Sequence, residues 1–232
     1  MKKSLVVLTG AGISAESGLK TFRDGNGLWE NHKVEDVATP EAFAANPALV
    51  LKFYNERRKA AAEAKPNMAH KILAELEEYF DVKIVTQNVD DLHERGGSSS
   101  VLHLHGELSK VRSEVNPNEI IDIGSKPINL GDKGKCGGQL RPHIVWFGEA
   151  VPMIEPSVEL CEQADIFLVI GTSLQVYPAA GLIRYVPRSS PKFIIDKVFP
   201  ESAQRDKNII FLEGSASVVL PDLKKKLIEE FI

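Results

Sequence analysis

The sequence predicts an α/β fold, a mostly parallel sheet with helices on both faces, joined by a small discontinuous module. Short β-branched runs alternate with helical patterns along most of the 232 residues, as expected of strands buried on both faces by crossover helices. The first run feeds at once into a glycine-rich turn, Gly10-Ala11-Gly12, the kind of strand-to-helix junction that binds phosphate. Two stretches break the rhythm, an Ala-rich charged segment at 48–64 and one at 108–142 punctuated by Gly, Pro and Asn. They are read as excursions from the sheet that come together as a second module.

Strands are expected at 5–9, 82–86, 101–105, 166–171, 192–196 and 209–212, each a short apolar run bounded by polar or turn residues. Helical patterns fall at 67–79, 155–163 and 221–231. The large domain then takes 1–28, 67–107 and 146–232. The small module takes 29–66, its helical part, and 108–145. No internal repeat or low-complexity tract interrupts them.

Composition sets the class. With 43% hydrophobic and 26% charged residues the chain can bury a full core. A formal charge of −4 without basic blocks weighs against general nucleic-acid binding. No segment approaches a membrane span, and the first apolar run is too short for a signal peptide. Two cysteines, Cys136 and Cys161, offer no disulfide framework and fit a reducing compartment. The expectation is a soluble, monomeric, cytoplasmic protein.

Candidate chemistry gathers at strand ends. His105 closes the run at 101–105 just before Gly106, a place for chemistry or for a plain structural histidine. The turn from Gly10 to Ser14, with Ala15 at the third small position, fits a dinucleotide fingerprint or a ligand-free tight turn. No acidic second-strand end lies about 20 residues on, which disfavours an ordinary dehydrogenase. Gln87, Asn88 and Asp90 cluster after the second strand. Asn with Asp supplies the donors and acceptors a carboxamide needs, while Asp90 or Asp91 serves equally as a helix N-cap. Gly171-Thr172-Ser173 makes a third polar strand end, suited to ribose or phosphate.

Taken together, Gly10-Ala11-Gly12-Ile13-Ser14, Thr21-Phe22-Arg23, Thr86-Gln87-Asn88-Val89-Asp90, Leu104-His105-Gly106-Glu107-Leu108, residues 142–149 and Gly171-Thr172-Ser173 resemble a sirtuin, an NAD-dependent protein lysine deacylase. The resemblance runs in order over nearly the whole chain. It implies that the larger part is Rossmann-like and that NAD and an acyl-lysine protein or peptide meet in a cleft between the two modules, giving nicotinamide and O-acyl-ADP-ribose. It implies His105 as general base, Asn88 and Asp90 on the nicotinamide carboxamide, Gln87 near the ribose, and Phe22 as a shield against water. The remaining NAD contacts it implies are Gly10, Ala11, Gly12, Ser14, Arg23, Gly171, Thr172, Ser173, Asp196 and Ala216. Asp196 departs from the asparagine many relatives have there, and its carboxylate suits ribose hydroxyls.

Tyr54 and Arg57 lie three apart and share a helix face. The pair resembles the Tyr-x-x-Arg of bacterial class III sirtuins, which remove succinyl and malonyl groups, and a guanidinium beside a phenol suits a carboxylate at the end of an acyl chain. Taken alone, Arg57 reads as well as part of a solvated face. Ala38 is small where a wide acyl pocket needs space, and acetyl-lysine is expected to be accepted as well. Residues 143–149 are expected to offer backbone groups to an extended substrate, with Val145 and Phe147 walling the acyl channel and Trp146 in the core. The sirtuin small module usually holds zinc on four cysteines, but the matching positions are Ser113, Asn116, Lys133 and Cys136. One thiol cannot make that site, so no zinc is expected, with Ile120, Ile121, Ile123, Ile128 and Leu130 packing the former zinc-ribbon part instead. Two other readings are an NAD-binding module without deacylase activity and a protein ADP-ribosyltransferase.

Overall fold

A computed structural model describes residues 2–20, 32–203 and 208–232. Phe22 and Arg23 therefore lie outside the described residues. The large sheet has six strands, β1 (Ser4–Thr9), β2 (Asp81–Thr86), β3 (Val101–His103), β7 (Ile166–Ile170), β8 (Lys192–Asp196) and β9 (Ile209–Glu213). Their order is β3-β2-β1-β7-β8-β9, and every pairing is parallel. From β1 the chain builds outward in one direction through β2 and in the other through β7, so the strand order reverses at β1. That reversal opens a crevice beyond the carboxyl ends of β1, β2 and β7.

Period-2 alternation divides β1 between two cores. Leu5 and Val7 join one cluster with Leu73 of α4 (Met68–Glu75) and Leu220 and Leu223 of α7 (Ala216–Phe231). Val6 and Leu8 join another with Phe167, Val169 and Cys161 of α6 (Ile154–Glu162). Asn67 caps α4 through its side chain, with His70 closing the capping box. Helix α7 begins five residues before the expected start and runs through Pro221. The proline made the sequence look like a helix start, whereas the fold absorbs the one lost backbone hydrogen bond.

The expected strand at 101–105 ends at His103. Gly106, at φ +80°, turns the chain out of the large sheet and into a second, antiparallel one, with order β5-β4-β6. Its strands are β4 (Gly106–Ser113), β5 (Ile120–Asp122) and β6 (Leu140–Ile144). Helices α1 (Val34–Val37), α2 (Pro40–Ala45) and α3 (Pro47–Glu63) cover it. Phe43, Phe53 and Tyr54 from the helices share a third core with Leu108, Val111, Ile144 and Trp146 from the strand region. The two excursions thus pack on each other.

The four positions aligned with zinc cysteines do not fit the metal. Cys136 Sγ lies 2.9 Å from Ser113 Oγ and donates to Glu119 Oε2 at 3.0 Å. Among the described residues no group of three His, Cys, Asp or Glu side chains is placed to hold a metal ion. Glu119 instead ties this end together, accepting also from the backbone N–H of Lys135. Of the apolar residues expected to pack here, Ile128 is buried and Ile121 and Ile123 are partly so, but Ile120 and Leu130 are exposed. The expectation is therefore corrected for Ile120 and Leu130, which do not pack.

Candidate functional site

A cavity of about 400 Å³ opens at the carboxyl ends of β1, β2 and β7 and extends to α3 and the segment after β6. It brings together Gly10, Ala11, Gly12, Ser14, Gln87, Asn88, Asp90, His105, Gly171, Thr172, Ser173, Asp196 and Ala216. Tyr54, Arg57, Ala38, Val145 and Phe147 line the same cavity.

The glycines of the β1 turn have a packing role. A Cβ on Gly12 would lie 2.6 Å from Gly171 Cα, and one on Gly10 would lie 2.7 Å from Thr172 Cβ. The glycines therefore let the β1 and β7 turns touch, with Gly12 N–H donating to the Gly171 carbonyl at 2.8 Å. Close approach here is backbone to backbone. The turn also lines the cavity through Gly10, Ala11, Gly12 and Ser14.

Beyond β2, Asn88 is held on several sides. Its backbone N–H donates to Thr86 Oγ1 at 3.0 Å, and its Nδ2 donates to the Gly10 carbonyl at 3.2 Å and to Ser14 Oγ at 3.1 Å. Ser14 in turn donates to Asp90 Oδ2 at 3.2 Å. Asp90 Oδ1 accepts the N–H of Leu92, the first residue of α5 (Leu92–Arg95), while the N-cap position itself is Asp91, and Asp90 also faces the cavity. Burial pushes its pKa above the ordinary carboxylate value, against the hydrogen bonds from Leu92 and Ser14. Ser14 as the link between Asn88 and Asp90 is not readable from sequence, because the three residues lie on two strand ends.

His105 sits at the joint between the two sheets. Its backbone carbonyl accepts from Val145 N–H at 2.9 Å, and its Nδ1 lies 3.1 Å from the Gln87 carbonyl. A carbonyl only accepts, so Nδ1 carries the proton and the neutral ring keeps its lone pair on Nε2. Burial lowers the His105 pKa, with the Gln87 contact opposing it. The ring is therefore neutral at pH 7 and suited to accept a proton.

On α3, Tyr54 is fully buried and its hydroxyl accepts from Trp146 Nε1 at 3.1 Å. Burial raises its pKa, so the phenol stays protonated. Arg57 stacks 5.8 Å from the Phe53 ring centroid and reaches the cavity. Its neighbour Arg58, part of what read as a charged helix face, is 2% exposed. Arg58 donates to the Leu108 carbonyl and to Asn55 Oδ1, fastening α3 to β4, and burial lowers its pKa to about 10.

The segment after β6 is braced before any ligand arrives. Glu149 accepts from Arg112, from Arg141 at 2.7 Å and from the Trp146 N–H at 2.8 Å, and the Arg141 guanidinium lies 3.3 Å over the Trp146 ring. Phe147 N–H donates to the Ala38 carbonyl at 3.0 Å. The N–H groups of Val145, Trp146 and Phe147 are thus engaged within the chain, which narrows the backbone groups an extended substrate could use. Trp146 is 2% exposed and belongs to the core, though its edge reaches the cavity.

Comparison with known proteins agrees with the geometry. The Sir2 family model matches residues 10–178. A Bacteroides thetaiotaomicron NAD-dependent protein deacylase is 54% identical over 231 residues, covering 97% of this chain and 98% of that protein. A Helicobacter pylori NAD-dependent protein deacylase is 53% identical over 227 residues, covering 98% of each. Among solved structures, a Sir2 homologue in complex with NAD superimposes with a TM-score of 0.87 at 39% identity, covering 100% of this chain and 91% of the other. A Sir2 protein bound to an acetylated peptide gives a TM-score of 0.77 at 27% identity, covering 99% and 93%.

Proposed function

Because the chain belongs to the Sir2 family, we infer that its cleft carries out NAD-dependent deacylation of protein lysine, releasing nicotinamide and O-acyl-ADP-ribose. The observation that carries this is one cavity lined by the β1 turn, Asn88, Asp90 and His105 together. NAD supplies the reactive bond between ribose and nicotinamide. The chain's residues bind and orient around it. Asn88 and Asp90, coupled through Ser14, hold the carboxamide; the turns at Gly10–Ser14 and Gly171–Ser173 face the phosphates and ribose; Asp196 and Ala216 lie at the far end of the cavity. Phe22 and Arg23 complete the set by resemblance. His105 takes a proton at Nε2 from a ribose hydroxyl, with Nδ1 fixed on Gln87.

For the acyl group, we propose a preference for succinyl and malonyl chains, with acetyl also accepted. Tyr54, Arg57 and Ala38 line the same cavity as His105, and a protonated phenol beside a guanidinium offers two donors to a terminal carboxylate. Matched acetyl-lysine and succinyl-lysine peptides, incubated with and without NAD and followed by mass spectrometry, test both statements. Loss of succinyl that requires NAD, His105 and Arg57 is expected. His105→Tyr should abolish all turnover, whereas Arg57→Met should lower desuccinylation about 100-fold and leave deacetylation within about threefold. Equal loss on both peptides in Arg57→Met would remove the carboxylate assignment and leave the deacylase.

A further inference from the structure

We propose that His103 and Glu94 form a charge-held brace that sets the pH range over which Asn88 is presented to the nicotinamide carboxamide, an inference resting on the deacylase reading above. His103 Nδ1 lies 3.0 Å from the Asn88 backbone carbonyl, and Nε2 lies 2.8 Å from Glu94 Oε1. Both partners only accept. Both ring nitrogens must therefore carry hydrogen, and the ring that satisfies both contacts is the imidazolium. Register places it there, since His103 closes β3 directly beside Thr86, the last residue of β2 before the Asn88 loop.

The ring is largely buried and does not line the cavity, so it acts through Asn88 as a positioning residue. Among the described contacts of Asn88, those from Thr86, Gly10 and Ser14 carry no titrating proton in the physiological range. The His103 contact does. Facing His103 are Glu94 and His93 on α5, Glu107 on β4 and Asp90 in the intervening loop. Burial opposes the charge, but Glu94, the Asn88 carbonyl and Glu107 outweigh it and hold the His103 pKa above the ordinary histidine value. As pH rises through that pKa one ring proton leaves. The Glu94 carboxylate retains the proton on Nε2, so Nδ1 turns a lone pair on the Asn88 carbonyl and attraction becomes repulsion.

The experiment uses the full chain with NAD and an acyl-lysine peptide, measuring kcat/KM for NAD, KM for peptide and inhibition by nicotinamide from about pH 6 to pH 10. In Glu94→Gln the alkaline limb of kcat/KM for NAD should move down by about one pH unit, and nicotinamide inhibition should weaken about fivefold at pH 8, with peptide KM unchanged. Glu94→Asp should restore part of the limb. His103→Gln, which keeps an amide donor but no titrating proton, should lose that limb altogether. A Glu94→Gln profile that superimposes on the wild type, or a limb that persists unchanged in His103→Gln, overturns the brace while the deacylase reading stands. A wild-type chain with no NAD-dependent turnover would remove both. Glu94 is 40% exposed at its side chain, so its substitution opens no cavity in the core.

Discussion

Ser14 donates its hydroxyl hydrogen to Asp90 across 3.2 Å while accepting from Asn88 Nδ2. One hydroxyl on the β1 turn thus fixes two side chains delivered by β2. Ser14→Ala removes the donor to a buried carboxyl and the acceptor for a buried amide, a loss of about 1–3 kcal/mol. kcat/KM for NAD should fall about tenfold, while KM for the acyl peptide should change little. Steady-state kinetics with each substrate varied in turn would test it; an effect confined to the peptide would refute the link.

The acid limb of activity should follow His105. Its pKa is lowered by burial, and the neutral ring is the active form. Activity is therefore retained below the ordinary histidine value of about 6.5 and is lost only as pH falls through the depressed one. A profile of kcat/KM for peptide against pH measures this directly. A limb centred above 7 would mean a different base.

Gly12 meets Gly171 with no space for a side chain. Gly12→Ala should push the β1 and β7 turns apart and cost about 3 kcal/mol of stability. Chemical denaturation should show a lower midpoint with little change in slope. NAD affinity should fall with it, because both turns face the cavity.

Two buried histidines predict acid sensitivity. The His70 and His93 rings lie 4.9 Å apart between α4 and α5, both fully buried. Burial holds His70 down to about 4 against the opposing pull of Glu94, and burial with repulsion from His70 and His103 holds His93 well below its ordinary value. Their folded pKa values lie below the unfolded value of about 6.5, so the stability they contribute is complete above 6.5 and drains away as pH falls toward 4. The loss should amount to roughly 3 kcal/mol for His70. His70→Gln, which preserves a capping-box residue on α4, should flatten the fall in melting temperature between pH 6.5 and pH 4.

The large sheet was legible because its strands are buried on both faces and read as unbroken apolar runs, such as Ile166–Ile170. The nucleotide side of the cavity was legible because Gly10, Gln87, Asn88 and Gly171 sit at the ends of those runs, whereas Tyr54 and Arg57 lie on α3 and were legible only through the resemblance. Strand β4 was not: Gly106–Ser113 mixes buried with half-buried positions and carries Glu107, Ser109, Lys110 and Arg112, while its partner β6 lies some thirty residues on and contains Pro142. Nor was Arg58. Its charge is housed by a carbonyl of β4 and by Asn55, partners that only the folded chain supplies.

His105 is fastened at both ends to different bodies, its carbonyl to Val145 on the small-module side and its ring to Gln87 on the large sheet. It is a hinge pin as much as a side chain. His105 shares this joint with the Leu108 N–H bond to the Val89 carbonyl and with Arg95, which donates to the Ala61 carbonyl. A shift of either module therefore moves a ring that lines the cavity.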